Sequence, residues 1–161
     1  MRGNVKKLEA DLQEHRGGAS MRKIMVATDG SEGAARAIDM AVELTKAFGG
    51  TLSIVSVAAT ISAEDETSFM RVEGDAMSPS ETLAQRNLNE AQRRAQQAGV
   101  PAQTILVTGD PARAIIETIV REKVDAIAVG RRGRGQLAGL LLGSVSQKLC
   151  SLAPCVVIVS P

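Results

Sequence analysis

Gly130-Arg131-Arg132-Gly133-Arg134-Gly135-Gln136-Leu137-Ala138-Gly139-Leu140-Leu141-Leu142-Gly143-Ser144-Val145-Ser146 is the stretch on which the fold reading turns. The apolar run Ala126 to Val129 before it reads as a buried parallel strand, and Val145, Leu149 and Leu152 repeat at helical spacing through its end. Strand, glycine-rich loop and helix start in that order make an anion site. Glycine lacks a Cβ and tolerates positive φ, so backbone N–H groups can approach a guest, and a helix N-terminus adds unpaired donors and a partial positive charge. Phosphate is the expected guest. A glycine-rich surface connection without a guest is the alternative that spacing alone leaves open.

Written as a pattern the stretch is G-x-x-G-x9-G-S, with Gly130, Gly133, Gly143 and Ser144 at its fixed positions. Gly133 to Ala138 also fits the dinucleotide fingerprint G-x-G-x-x-A, but it comes late in the chain and no acidic residue follows at the ribose-binding distance of about 20 residues. A Walker A loop needs a lysine before its serine, and here Ser144 follows Gly143 directly. Both lookalikes fail.

The remaining composition excludes several chemistries. A chain of 161 residues suits one domain with an ordinary core. Phe48 and Phe69 are its only aromatics, so the core is built from Ala, Val, Ile and Leu. A formal net charge of +1 gives no electrostatic footprint for nucleic acid, and stacking platforms for single-stranded bases are lacking. The only histidine is His15, in the polar N-terminal segment, so Ser-His-Asp or Cys-His catalysis and His-ligated zinc have no imidazole from Met21 onward. Cys150 and Cys155 read as reduced thiols of a cytoplasmic protein, and no membrane-length apolar run or export signal is present.

Outward from the loop, the chain alternates. Residues 1–20 carry Val5, Leu8 and Leu12 at helical spacing before Gly17-Gly18; a natural helical arm and an appended leader both fit, and the domain is expected over 21–161. Lys23 to Thr28 is an apolar strand, and Ser31 is placed to cap a helix carrying Ala34, Ala37, Ile38, Ala41, Leu44, Thr45 and Phe48. Gly49-Gly50 ends it and Leu52 to Val57 is the second strand. Ala58 to Ser78 has no sustained period and reads as a mobile insert. A helix from Pro79 carries Ala84, Leu88, Ala91, Ala95 and Ala98 on one face, and Ala102 to Val107 is the third strand. Asp110 and Pro111 start a helix whose core face is Ile115, Ile116, Ile119 and Val120, followed by a fourth strand, Asp125 to Val129. Val156 to Ser160 is the fifth. Strands and helices in strict alternation predict an α/β fold with an open parallel sheet covered on both faces.

From Met21 to Pro161 the chain resembles the universal stress protein family. The likeness is carried by Lys23-Ile24-Met25-Val26-Ala27-Thr28-Asp29-Gly30-Ser31, by Gly109-Asp110-Pro111, by Leu140-Leu141-Leu142-Gly143-Ser144-Val145-Ser146 and by Ala153-Pro154-Cys155. The resemblance implies a five-stranded sheet of order 3-2-1-4-5, which puts Asp29 and Gly130 at a topological switch point where ligands bind. It also implies ATP, with Mg²⁺ carried on its phosphates, and a homodimer joined through the C-terminal strand. Ala27 and Thr28 would line the adenosine pocket, Asp29 would sit near the ribose or the metal, and the Val57 backbone would meet the adenine edge. Gly130, Arg131, Arg132 and Gly133 would track the phosphates from one side, with Gly143, Ser144, Val145 and Ser146 donating from the other. Taken alone, Asp29 is equally a helix-start aspartate. Arg131, Arg132 and Arg134 depart from the usual family loop, and serve either as charge-assisted phosphate contacts or as solvated charge.

The function expected is that of an ATP-binding regulatory protein of the stress response, in which occupancy alters conformation or partner choice. The rival is a slow ATPase or phosphotransferase at the same site, which would need a positioned base that the scattered carboxylates do not supply. A valine at Gly130 or Gly143 is expected to fill phosphate space and leave the fold intact.

Overall fold

The computed structural model describes residues 21–59, 77–134 and 141–161. The N-terminal segment, most of the expected insert and the middle of the glycine loop lie outside these residues. Among the described residues nine elements alternate: β1 (Lys23–Ala27), α1 (Glu32–Phe48), β2 (Thr51–Ala58), α2 (Pro79–Gln97), β3 (Ala102–Thr108), α3 (Pro111–Glu122), β4 (Ala126–Gly130), α4 (Ser144–Leu152) and β5 (Val156–Ser160). The five strands form one parallel sheet of order β3-β2-β1-β4-β5.

Strands β1 and β4 are buried almost throughout because helices cover both faces. On one face α1 and α2 bury Ala37, Ile38, Ala41, Leu88 and Ala91 against Ile24, Val26 and Ile54. On the other, Ile115, Ile119 and Leu149 pack on Met25, Val55 and Ile127. Small alanines on α1 and α2 let the helices sit close to the sheet, which explains a core almost without aromatics.

Helix starts follow local chemistry. The Ser31 side chain accepts from Ala34 N, and Asp110 Oδ1 accepts from Arg113 N ahead of Pro111. Ser78 makes a capping box with Glu81. Ser78 therefore belongs to the start of α2 and not to the insert, and Ala58 belongs to β2. The Ser78-x-x-Glu81 spacing was the signal for it. Four expected core positions are exposed instead. Phe48 is 45% exposed in the last turn of α1, Val120 60% in the last turn of α3 and Leu152 65% at the end of α4. Ala98 is an exposed helix cap. Each sits in the last turn or at the cap of its helix, where the periodic face no longer meets a packing partner.

Candidate functional site

The order β2-β1-β4 puts the carboxyl ends of β1 and β4 side by side, with their chains leaving to α1 on one face and α4 on the other. A crevice opens between them, as expected at a switch point. It holds a cavity of about 330 Å³. Its walls contain Ala27, Thr28, Asp29 and Val57, then Gly130, Arg132 and Gly133 from the first arm of the loop, and Gly143, Ser144, Val145 and Ser146 from the second. The cavity also takes Ser31 and Ala34 from α1, Pro111 and Ile115 from α3, Val55 and Val129 from the sheet, and Arg134. Arg134 was weighed from sequence as a phosphate contact; the other six were not singled out as site residues. Ile115 was visible only as a core position, and Pro111 only as a helix start.

At the first strand end, Thr28 N donates to Val55 O at 2.9 Å, which is the last bond of the ladder. The Thr28 hydroxyl accepts from Gly30 N, and Thr28 O accepts from the Ser56 hydroxyl. Gly30 then turns the chain at φ 77°, where its left-handed backbone and the nearby Asn87 Oδ1 leave no room for a Cβ. Alternation along β2 aims the main-chain groups of Val55 and Val57 toward β1. Because β1 has ended, the main chain of Val57 has no strand partner on that side among the described residues.

Asp29 is a tie. Its Oδ1 accepts from Ser31 N at 3.0 Å and its Oδ2 from Arg134 N at 2.9 Å, linking the start of α1 to the glycine loop. Gly133 passes so close that a Cβ there would lie 2.4 Å from Asp29 Oδ2. The two arms of the loop are fastened at their base. Arg131 O accepts from Gly143 N at 2.8 Å and from the buried Ser146 hydroxyl at 2.9 Å, and Arg131 N donates to Ser160 O.

Three expectations change here. Arg131 does not line the cavity: its main chain is the fastening and its side chain is exposed. The Ser146 hydroxyl is taken up by Arg131 O and Gly143 O, so only the main chain of Ser146 is left to meet a guest. A Cβ on Gly130 would lie 2.6 Å from Gly33 C and 2.9 Å from Ala34 N. Gly130 is therefore required where β4 crosses the start of α1, and a valine there would strike the backbone and not simply fill phosphate space.

The donors sit at α4. Gln147 N donates to Gly143 O, closing the first turn, so the N–H groups of Ser144, Val145 and Ser146 have no acceptor within the helix. Gly143 is the cap and provides no side-chain acceptor, unlike Ser31, Ser78 and Asp110 at the other helices. Cationic groups border the same space. Arg132 and Arg134 line the cavity and make no ion pair among the described residues, and Arg132 Nε is buried without a hydrogen-bond partner among them. Asp29 is the carboxylate of the wall. No group of three His, Cys, Asp or Glu suited to a metal occurs among the described residues.

An open parallel α/β domain with an anion-receptive crevice at its switch point is the class that this fold and site define. The profile of the universal stress protein family matches residues 21–161, and the chain belongs to that family. It is 34% identical over 143 residues to "Universal stress protein YxiE" of Bacillus subtilis, covering 85% of this chain and 97% of that protein. It is 33% identical over 142 residues to a universal stress protein of Thermus aquaticus, covering 85% and 96%. Its fold is similar to a universal stress protein solved in complex with cAMP, at 28% identity and a TM-score of 0.65, covering 88% of this chain and 98% of that one.

Proposed function

We propose that the protein binds an adenine nucleotide, ATP with Mg²⁺, in the carboxyl-end cavity, and works as a regulatory protein of the stress response whose occupancy alters conformation or partner binding. The observation that carries this reading is the convergence on one cavity of a helix N-terminus without a side-chain cap, a glycine loop and two arginines that make no ion pair among the described residues. Anionic oxygens complement all three. The cAMP complex of a relative supports an adenine nucleotide as the guest.

In this reading Gly133, Arg132 and the N–H groups of Ser144 to Ser146 hold the phosphates. The free main-chain groups of Val57 meet the adenine edge, and Ala27, Thr28 and Ile115 pack around the nucleoside. Asp29 orients the loop through its two N–H bonds. The divalent ion travels with the phosphates, since the wall offers at most this one carboxylate and Mg²⁺ keeps much of its water. Binding without efficient turnover is favoured over the ATPase or phosphotransferase reading, because Asp29 is engaged in two main-chain hydrogen bonds and no second carboxylate lines the cavity among the described residues. Calorimetry with ATP tests the binding. Phosphate release near the ~1 per second of a modest enzyme, abolished by Asp29→Asn, would overturn the non-catalytic reading.

The assembly follows from β5, which lies at the sheet edge with Val156 47% exposed. An apolar edge strand is a template for pairing. A homodimer through Val156 to Ser160 is expected, with sedimentation showing a dimer that Val156→Lys converts to monomer; a wild-type monomer at micromolar concentration would contradict it.

A further inference from the structure

We propose that Arg132 makes the cavity selective for phosphate chain length, favouring nucleoside di- and triphosphates over monophosphates and cyclic monophosphates. The inference rests on the nucleotide reading and adds to it the residue that sets the preferred phosphate length.

The backbone of Arg132 is held from both sides. The carbonyl of Arg131 before it is fastened to Gly143 N and Ser146 Oγ, and Gly133 after it lies against Asp29. Its own carbonyl lies so close to α1 that a Cβ on Gly33 would come within 2.9 Å. The root of the side chain is thus fixed beside the cavity, whose wall includes Arg132, and its buried Nε has no partner among the described residues. A buried donor left unpaired is destabilising, and such groups in folded proteins call for an explanation.

Charge decides which ligand. The three free N–H groups of α4 are neutral donors, sufficient in kind for one phosphate. Arg132 and Arg134 add two positive charges on the other arm of the loop, against Asp29 as the one carboxylate of the wall among the described residues. Both oxygens of Asp29 accept main-chain N–H bonds, and the described ion pairs leave the arginines unmatched. In this proposal a monophosphate is held by the α4 donors and does not reach Arg132. A chain of two or three phosphates supplies further anionic oxygens for it, and the planar guanidinium is suited to two of them at once.

The test is calorimetry in magnesium-free buffer with adenosine, AMP, ADP, ATP and inorganic tripolyphosphate, on wild type, Arg132→Gln and Arg132→Lys, together with thermal melts of the free proteins. Wild type should bind ATP at least about tenfold more tightly than AMP. Arg132→Gln should lose about that tenfold on ADP, ATP and tripolyphosphate while staying within about twofold on adenosine and AMP. Arg132→Lys should fall between, keeping charge without the fork. Free Arg132→Gln should melt no lower than wild type, because the substitution removes an unpaired cationic donor. Equal losses on every ligand, no loss on ATP, or a free variant that melts well below wild type would overturn the proposal. Binding of tripolyphosphate that depends on Arg132, with no binding of any nucleotide, would sink the nucleotide reading and keep the role of Arg132. Nucleotide binding with a ranking indifferent to Arg132 would do the reverse.

Discussion

The two ends of the parallel sheet carry cavities of opposite character. The larger, about 580 Å³, lies at the amino ends of the strands, and the smaller, about 330 Å³, at the carboxyl ends. At the amino end the polar groups serve one another. Gly49 and Gly50 donate to the last carbonyls of α1, Asp125 Oδ2 accepts from Arg22 N and Lys23 N, and the Lys23 ammonium caps Glu122 O at the end of α3. At the carboxyl end the α4 donors and Arg132 Nε have no partner among the described residues. A parallel fold collects helix C-termini at one end and N-termini at the other, so unmet positive potential gathers where the strands finish. Unsatisfied groups, and not volume, mark the site.

The contrast can be broken by glycines placed at each end. Gly130→Val should have the largest effect, destabilising the fold by about 3 kcal/mol in urea melts, because its side chain meets the main chain of Gly33 and Ala34. Gly50→Ala is the amino-end control. Its Cβ would lie 2.4 Å from Arg22 O, so stability should fall by about 1 to 3 kcal/mol with ATP affinity unchanged by calorimetry. Gly133→Ala should do the opposite. It pushes only on the end of the Asp29 side chain, so the melt should barely move while ATP affinity drops about tenfold through loss of the Asp29–Arg134 tie.

The smallest effect is expected away from both cavities. Asp39 receives two hydrogen bonds from Arg94, each 2.6 Å, joining α1 to α2, and these hold its carboxyl below the usual carboxylate range. A lowered folded pKa means that the stabilisation is present above the unfolded value and is lost as pH falls through the folded one. Both side chains are about half exposed, so a double-mutant cycle should give a coupling under about 1 kcal/mol at pH 7 and none in strong acid. ATP affinity should not change in either variant.

The elements were legible because their signals are local, whereas the strand order came only from the family resemblance. Period, Gly49-Gly50, Asp110-Pro111 and the glycine loop place every element within a residue or two. The exposed ends Phe48, Val120 and Leu152 were not legible, since which positions of a last turn meet a neighbour depends on tertiary packing and not on the helix's own pattern. At the site, the pattern G-x-x-G-x9-G-S located the cavity but did not divide its labour. Gly130 is a crossing point and Arg131 a fastening, roles that arise from contacts with Gly33 and Gly143. Pro111 and Ile115 join the wall because β2 and β3 deliver α3 beside the switch point, a proximity that no spacing within α3 records.

Amide shift mapping of isotope-labelled protein titrated with ATP and Mg²⁺ tests the central claim most directly. The account predicts saturable shifts at Asp29, Val57, Gly133 and Ser144 to Ser146, with Gly49 to Thr51 and Gly99 to Ala102 unmoved. No shift at millimolar nucleotide, or shifts centred on the amino-end residues, would contradict it.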